Sequence, residues 1–216
     1  GQELHIPIPE AFLTLEVFGK NGKLLQRHHQ RSHSWVRNAY NHLFSQLDAK
    51  NVSDSTFGAG KLSIKSTSGA VKYGAFSVGV REDQNQDAVG IGYLAGAGVP
   101  TFGIQVGSGE NAESFEDFQL QTQIAEGAGA GQLNHAASQL HSISYAALTL
   151  KDELVRYFNN NSGGTIGVNE VTLVVSGYSG TSVQWVQSRD KLPATVTVPD
   201  TGQLKVTYTI QLTYPA

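Results

Sequence analysis

The chain has 216 residues, enough for one large β domain or two small ones with a real core. It contains 24 Gly, 15% charged residues and no Cys, which excludes disulfides, thiolate metal sites and a cysteine nucleophile. A net charge of −3 and a pI near 6.2 argue against general nucleic-acid binding, and no apolar run reaches the roughly 20 residues of a membrane helix. No signal-peptide pattern opens the chain. Met is absent, so Gly1 is expected to follow a removed initiator or a proteolytic cut.

Residues 1–10 contain Pro7 and Pro9 and read as an extended arm. From Phe12 to Phe18 the chain alternates, with Leu13, Leu15 and Val17 on one face. Asn21-Gly22 then predicts a hairpin whose return strand runs from about Leu24 to Gln30. Ser34 reads as a helix N-cap. Behind it Trp35, Val36, Ala39, Tyr40, Leu43, Phe44 and Leu47 form an apolar stripe at helical spacing. This predicts one helix over about 34–47, packed on a sheet through that stripe.

Leu62 to Ser66 and Val71 to Tyr73 read as a short hairpin, and Phe76 to Val80 as a strand. Residues 81–131 read as a Gly-rich insertion in which Phe102 to Val106 is a strand and Ser114 to Leu120 a helical turn. Leu140 to Leu150 reads as one strand. Leu154 to Phe158 and Thr165 to Val175 read as a hairpin around Asn159 to Gly164, with positive φ at Gly163 or Gly164. Val183 to Arg189 and Thr195 to Val198 are further strands. In the last one Leu204, Val206, Tyr208, Ile210, Leu212 and Tyr214 alternate with polar residues, so one face is buried and one is wet. These elements predict an all-β fold: an antiparallel β-sandwich of jelly-roll type with one helix, forming a single domain over 1–216.

Charge is unevenly distributed. Residues 1–81 carry ten Lys or Arg and five acids, whereas residues 82–150 carry eight acids and no Lys or Arg. Lys20, Lys23, Arg27, Arg31 and Arg37 form a basic stretch. Glu110, Glu113, Glu116 and Asp117 lie in the acidic one. Such stretches can pair within one subunit, or head-to-tail between subunits and so close a ring or tile a shell. DNA contact by the basic stretch is a further reading, disfavoured by the overall pI.

Motifs for chemistry fail their tests. Asp83, Asn85 and Asp87 sit at the first ligand positions of a Ca²⁺ loop, but Ala88 and Leu94 replace its Gly and Glu, so a solvated turn is expected. His28, His29, His33 and His42 crowd one region without an acid to complete a ligand set. Gly58 to Lys61 lacks the first Gly and the Ser or Thr of a phosphate loop. Gly177 to Gly180 is not a nucleophile elbow, and Glu116 with Asp117 is not a glycosidase pair. No catalytic residue, metal or cofactor is expected.

Several blocks, in order, resemble one family. They are Ser34-Trp-Val-Arg-Asn, Gly103-Ile-Gln-Val-Gly-Ser-Gly, Ser114-Phe-Glu-Asp-Phe, Gly131-Gln-Leu-Asn-His, Asn160-Asn-Ser-Gly-Gly-Thr-Ile-Gly-Val-Asn-Glu-Val, Ser188-Arg-Asp-Lys-Leu-Pro and Gln203-Leu-Lys-Val-Thr-Tyr-Thr-Ile. From about residue 30 to the end the chain resembles virion structural proteins of tailed bacteriophages. Thr172 departs from the pattern by standing where Gly would be expected. The resemblance implies a non-enzymatic subunit located in the virion, on head, neck or tail. Its expected partners are copies of itself and other virion proteins, with neither nucleic acid nor membrane. The alternative is a carbohydrate-binding adhesin module, which requires a cluster of exposed aromatics, with Tyr178 and Trp185 as candidates.

Overall fold

A computed structural model of the chain describes residues 9–32, 34–48, 55–73, 76, 92–179 and 181–215. Of the arm expected over 1–10, residues 1–8 lie outside the described residues and Glu10 opens a strand; the strand beyond Phe76, the Asp83–Asp87 loop and His33 also lie outside the described residues. The chain is 50% strand and 6% helix, which places it in the all-β class.

In chain order the elements are β1 (Glu10–Phe18), β2 (Leu24–Ser32), α1 (Arg37–Asp48), β3 (Ile64–Lys65), β4 (Val71–Lys72) and β5 (Gly103–Gly107). They continue with β6 (Asn134–His135), β7 (Ser142–Ala146), β8 (Thr149–Asn159), β9 (Ile166–Tyr178), β10 (Ser182–Val198) and β11 (Gln203–Thr213). The larger sheet has the order β2-β1-β11-β8-β6, with β7 also on β8. The smaller sheet is β10-β9-β5, and β3 pairs with β4. All pairings between these strands are antiparallel, and the two main sheets pack as a sandwich. A jelly roll is a finer statement than this order makes.

Period-two patterning builds the core. Leu13, Leu15 and Val17 of β1 and Leu204, Val206 and Tyr208 of β11 point inward, against Val168, Val171 and Leu173 of β9. Gly22 takes φ +74 in the β1–β2 turn, as Asn-Gly implies.

Two expected strand arrangements need correction. The strands on either side of Asn159 to Gly164 are not a hairpin. β8 belongs to the larger sheet and β9 to the smaller, so the segment is a corner between sheets. Asn160 holds this corner by donating to Gly164 O (2.7 Å) and Val198 O (2.9 Å), while Gly163 takes φ +78. Leu140 to Leu150 is likewise not one strand. It folds back at Ala147 and Leu148, which take φ 47 and 65, so that β7 pairs with β8.

The helix starts at Arg37, later than expected, because Trp35 bridges to Ser188 and Val36 N donates to Gln187 O (3.1 Å). Its stripe is covered only at the start, where Val36 and Ala39 are buried. Tyr40, Leu43, Phe44 and Leu47 are 45–69% exposed, whereas Asn38, Asn41 and Ser45 are buried. Asn38 donates to Lys65 O (2.8 Å) and accepts from Lys65 N (2.9 Å), and Asn41 donates to Ser63 O (2.7 Å). Their amides satisfy backbone groups of the β3 segment that would otherwise be buried unpaired. His42 packs edge-on against Trp185, and its basicity is lowered by burial.

Candidate functional site

The five basic residues do not form one patch. Lys20 and Lys23 are exposed in and beside the β1–β2 turn. Arg27 faces Glu16 at 3.6 Å and Arg31 reaches Glu10 at 2.7 Å, both along the outer face of the larger sheet. Glu16 also meets Lys205 at 3.3 Å, so this face carries a ladder of alternating sign.

Arg37 meets the acidic segment within the same chain. Its Nε donates to Glu116 at 2.9 and 2.8 Å, a second nitrogen reaches the same carboxylate, and its guanidinium lies 4.8 Å from the Phe115 ring centre. The shared hydrogen bonds raise the Arg37 pKa and lower that of Glu116. Asp117 accepts from Arg189 (2.8 Å), and Glu113 accepts from Lys191 N (2.7 Å). Glu110 is exposed. Arg37, Glu113, Glu116 and Asp117 therefore all make contacts inside the subunit.

Sequence reasoning missed four buried charges that organise the loops. Glu170 accepts from Gly109 N (3.2 Å), Gln121 N (3.1 Å), Thr122 N (2.8 Å) and Arg189 Nε (2.7 Å). A Cβ at Gly107 or Gly109 would stand 2.5 Å from its Oε1, which explains the Gly-Ser-Gly spacing. Arg189 also donates to Asn111 O (3.1 Å) and Ala112 O (3.2 Å). Together the two residues clamp the acidic segment onto β9 and β10.

Asp190 accepts from Ser32 Oγ (2.8 Å) beside the Tyr208 hydroxyl, joining the sheets. Burial, and then the Asp190 charge, push the Tyr208 pKa far up. Arg156 is fully buried and faces carbonyls of Ala136, Phe102, Ile104, Gly96 and Val99 at 2.7–3.3 Å. Burial lowers its pKa to about 10, so it stays charged at neutral pH. The available signal for these residues was a charge on an otherwise apolar strand, as at Glu170 between Val168 and Val171.

Glu170, Arg189 and Arg156 are engaged with each other, with Asp117 or with the backbone, an arrangement that holds loops, whereas Asp190 is engaged by a hydroxyl across the two sheets. Among the described residues no three His, Asp or Glu side chains converge as metal ligands. Thr172 is buried and donates to Ser188 O (2.6 Å). Trp185 is fully buried between Phe76 and His42, whereas Tyr178 is exposed at the end of β9.

Among the described residues, apolar side chains face solvent in a row on α1, formed by Tyr40, Leu43, Phe44 and Leu47, and on the β7–β8 hairpin, with Ile143, Tyr145 and Leu148. Compared with known proteins, the chain matches no family model, no curated protein and no solved structure.

Proposed function

We propose that this chain is a non-enzymatic structural subunit of a tailed-phage virion, on head, neck or tail. It assembles there with copies of itself and with other virion proteins, and contacts neither nucleic acid nor membrane. One observation carries this reading: a sandwich with clamped loops presents two apolar surfaces outward, and surfaces of that kind mark protein contacts. The ordered sequence blocks from Ser34 to Ile210 give it the virion context. The buried charges support a structural role, since they hold loops in place. Lys20, Lys23 and Glu110 are exposed members of the two charged stretches, as are Arg27, Arg31 and Glu116 despite their ion pairs within the chain, and they are available to set register between subunits.

The adhesin reading loses one of its two candidate aromatics, because Trp185 lies in the core. Quantitative mass spectrometry of purified particles of the encoding phage tests the proposal. A fixed copy number per virion is expected. Abundance in the infected lysate with absence from particles would sink it.

A further inference from the structure

The core-facing side of the larger sheet extends beyond the smaller sheet that covers it. Along β8, Leu154 is 4% exposed and Leu150 37%; beside it Tyr208 is 0% exposed and Tyr214, just past β11, 39%. Register puts Tyr145 opposite Leu150, which is opposite Leu212, and puts Ile143 opposite Asp152. Ile143 and Tyr145 therefore stand on the same face as the core residues Leu154 and Tyr208, but without cover.

β7 lies at the margin of this overhang. All five of its residues are exposed, and among the described residues its only strand partner is β8. Edges of this kind are usually guarded by charge, proline or a bulge. The opposite edge of the same sheet is guarded: β2 carries Arg27, His28, His29 and Arg31 and a register shift near its start. β7 has none of these, and the chain has no Asp, Glu, Lys or Arg between Glu126 and Lys151. The Ala147-Leu148 turn has both residues at positive φ without Gly or Asn, an unfavourable conformation that nevertheless holds the hairpin out.

We propose that β7 is an association edge for a second copy of this chain. Two β7 strands pair antiparallel about a twofold axis at Ser144 and join the larger sheets of two subunits into one. The strand is self-complementary in that register. Ile143 meets the partner's Tyr145 and Tyr145 meets the partner's Ile143; Ser144 meets its own copy, and Ser142 meets the partner's Ala146. Pairs of this type, β-branched against aromatic, stabilise antiparallel ladders. No charge opposes its like, whereas the same operation on β2 would bring its basic residues together. Because the axis is normal to the sheet, the two overhanging faces merge into one apolar strip.

Leu140, Ile143, Tyr145, Leu148, Leu150 and Tyr214 are 37–69% exposed. Of these only Ile143 and Tyr145 stand on the pairing strand itself, and at roughly 200 Å² for a large side chain they offer on the order of 250 Å² per copy, well under the about 800 Å² per partner of a standard interface. An area of that size, joined to the backbone hydrogen bonds of the new ladder, fits a weak, reversible dimer that larger assembly would reinforce. This inference deepens the assembly reading by naming one of its contacts, and it rests on that reading only for its biological setting.

Sedimentation equilibrium of the purified chain from about 1 to 500 µM tests it. A monomer–dimer equilibrium is expected for the native chain. Ile143→Lys with Tyr145→Lys should be monomeric, and so should Ile143→Glu with Tyr145→Glu, each with unchanged circular dichroism and thermal midpoint. An equimolar mixture of the two variants should restore a dimer, because each introduced lysine of one chain then faces an introduced glutamate of the other. A native chain monomeric throughout would overturn the proposal. So would a Lys variant that still dimerises, a mixture that stays monomeric, or loss of the native dimer on Leu43→Glu with Leu47→Glu. A chain that is monomeric in solution yet counted in virions would overturn the β7 pairing and leave the virion reading standing.

Discussion

Five backbone carbonyls converge on Arg156, and a planar guanidinium has five N–H donors to meet them. Lysine has three donors, so Arg156→Lys takes away at least two of these bonds, and since only Gly96 O also accepts from Val99 N it leaves at least one buried acceptor unsatisfied and should cost about 2–4 kcal/mol, read as a lower urea midpoint at unchanged slope. Asn38 tests how the helix is oriented. Asn38→Ala strands both backbone groups of Lys65 and should cost about 2–3 kcal/mol, whereas Leu43→Ala on the exposed side should cost under about 1 kcal/mol. A helix packed through its apolar stripe would reverse that order, so thermal midpoints of the two variants decide between the packings.

Single elements show where local signals suffice. Asn-Gly marked the β1–β2 hairpin because the turn needs positive φ at Gly22, which Gly adopts at low cost. The Ala-Leu turn between β7 and β8 gives no such signal, so the strand from Leu140 to Leu150 looked continuous although it folds back. Replacing Ala147 and Leu148 by Asn and Gly should relieve the backbone strain and stabilise the fold by about 1–2 kcal/mol, visible as a higher thermal midpoint. A lower midpoint would mean that the Leu148 side chain contributes packing that outweighs the strain. The segment Asn159 to Gly164 misled in another way: its residues specify a tight corner equally well whether the chain re-enters the same sheet or crosses to the other.

For the whole molecule, acid stability depends on His135. Its side chain is buried against Phe158, with Nδ1 3.8 Å from Glu126 and neither ring nitrogen in a well-formed hydrogen bond. Burial and then the Arg156 charge lower its pKa to about 4, against a partial opposite pull from Glu126 and the Ile124 backbone. Above pH 6.5 both folded and unfolded chains hold the imidazole neutral, and its contribution is fully present. Between about 6.5 and 4 only the unfolded chain takes the proton, so stability falls as pH drops, by up to about 3 kcal/mol. Denaturant titrations at pH 7 and 4.5 should show this limb in the native chain and a much smaller one in His135→Phe. What the sequence by itself determined was the strand class and which residues of β1 and β11 face inward, because alternation is a local property of a half-buried strand. Only the tertiary structure decided which sheet β8 and β9 each join, which side of α1 is buried, and that Arg37 meets Glu116 inside one chain. Those outcomes depend on partners far along the sequence: the backbone of Ser63 and Lys65 for α1, and the register of β10 for the clamp at Glu170 and Arg189. A hydropathy stripe reports what a helix could bury, whereas unpaired backbone groups on its neighbour determine what it does bury.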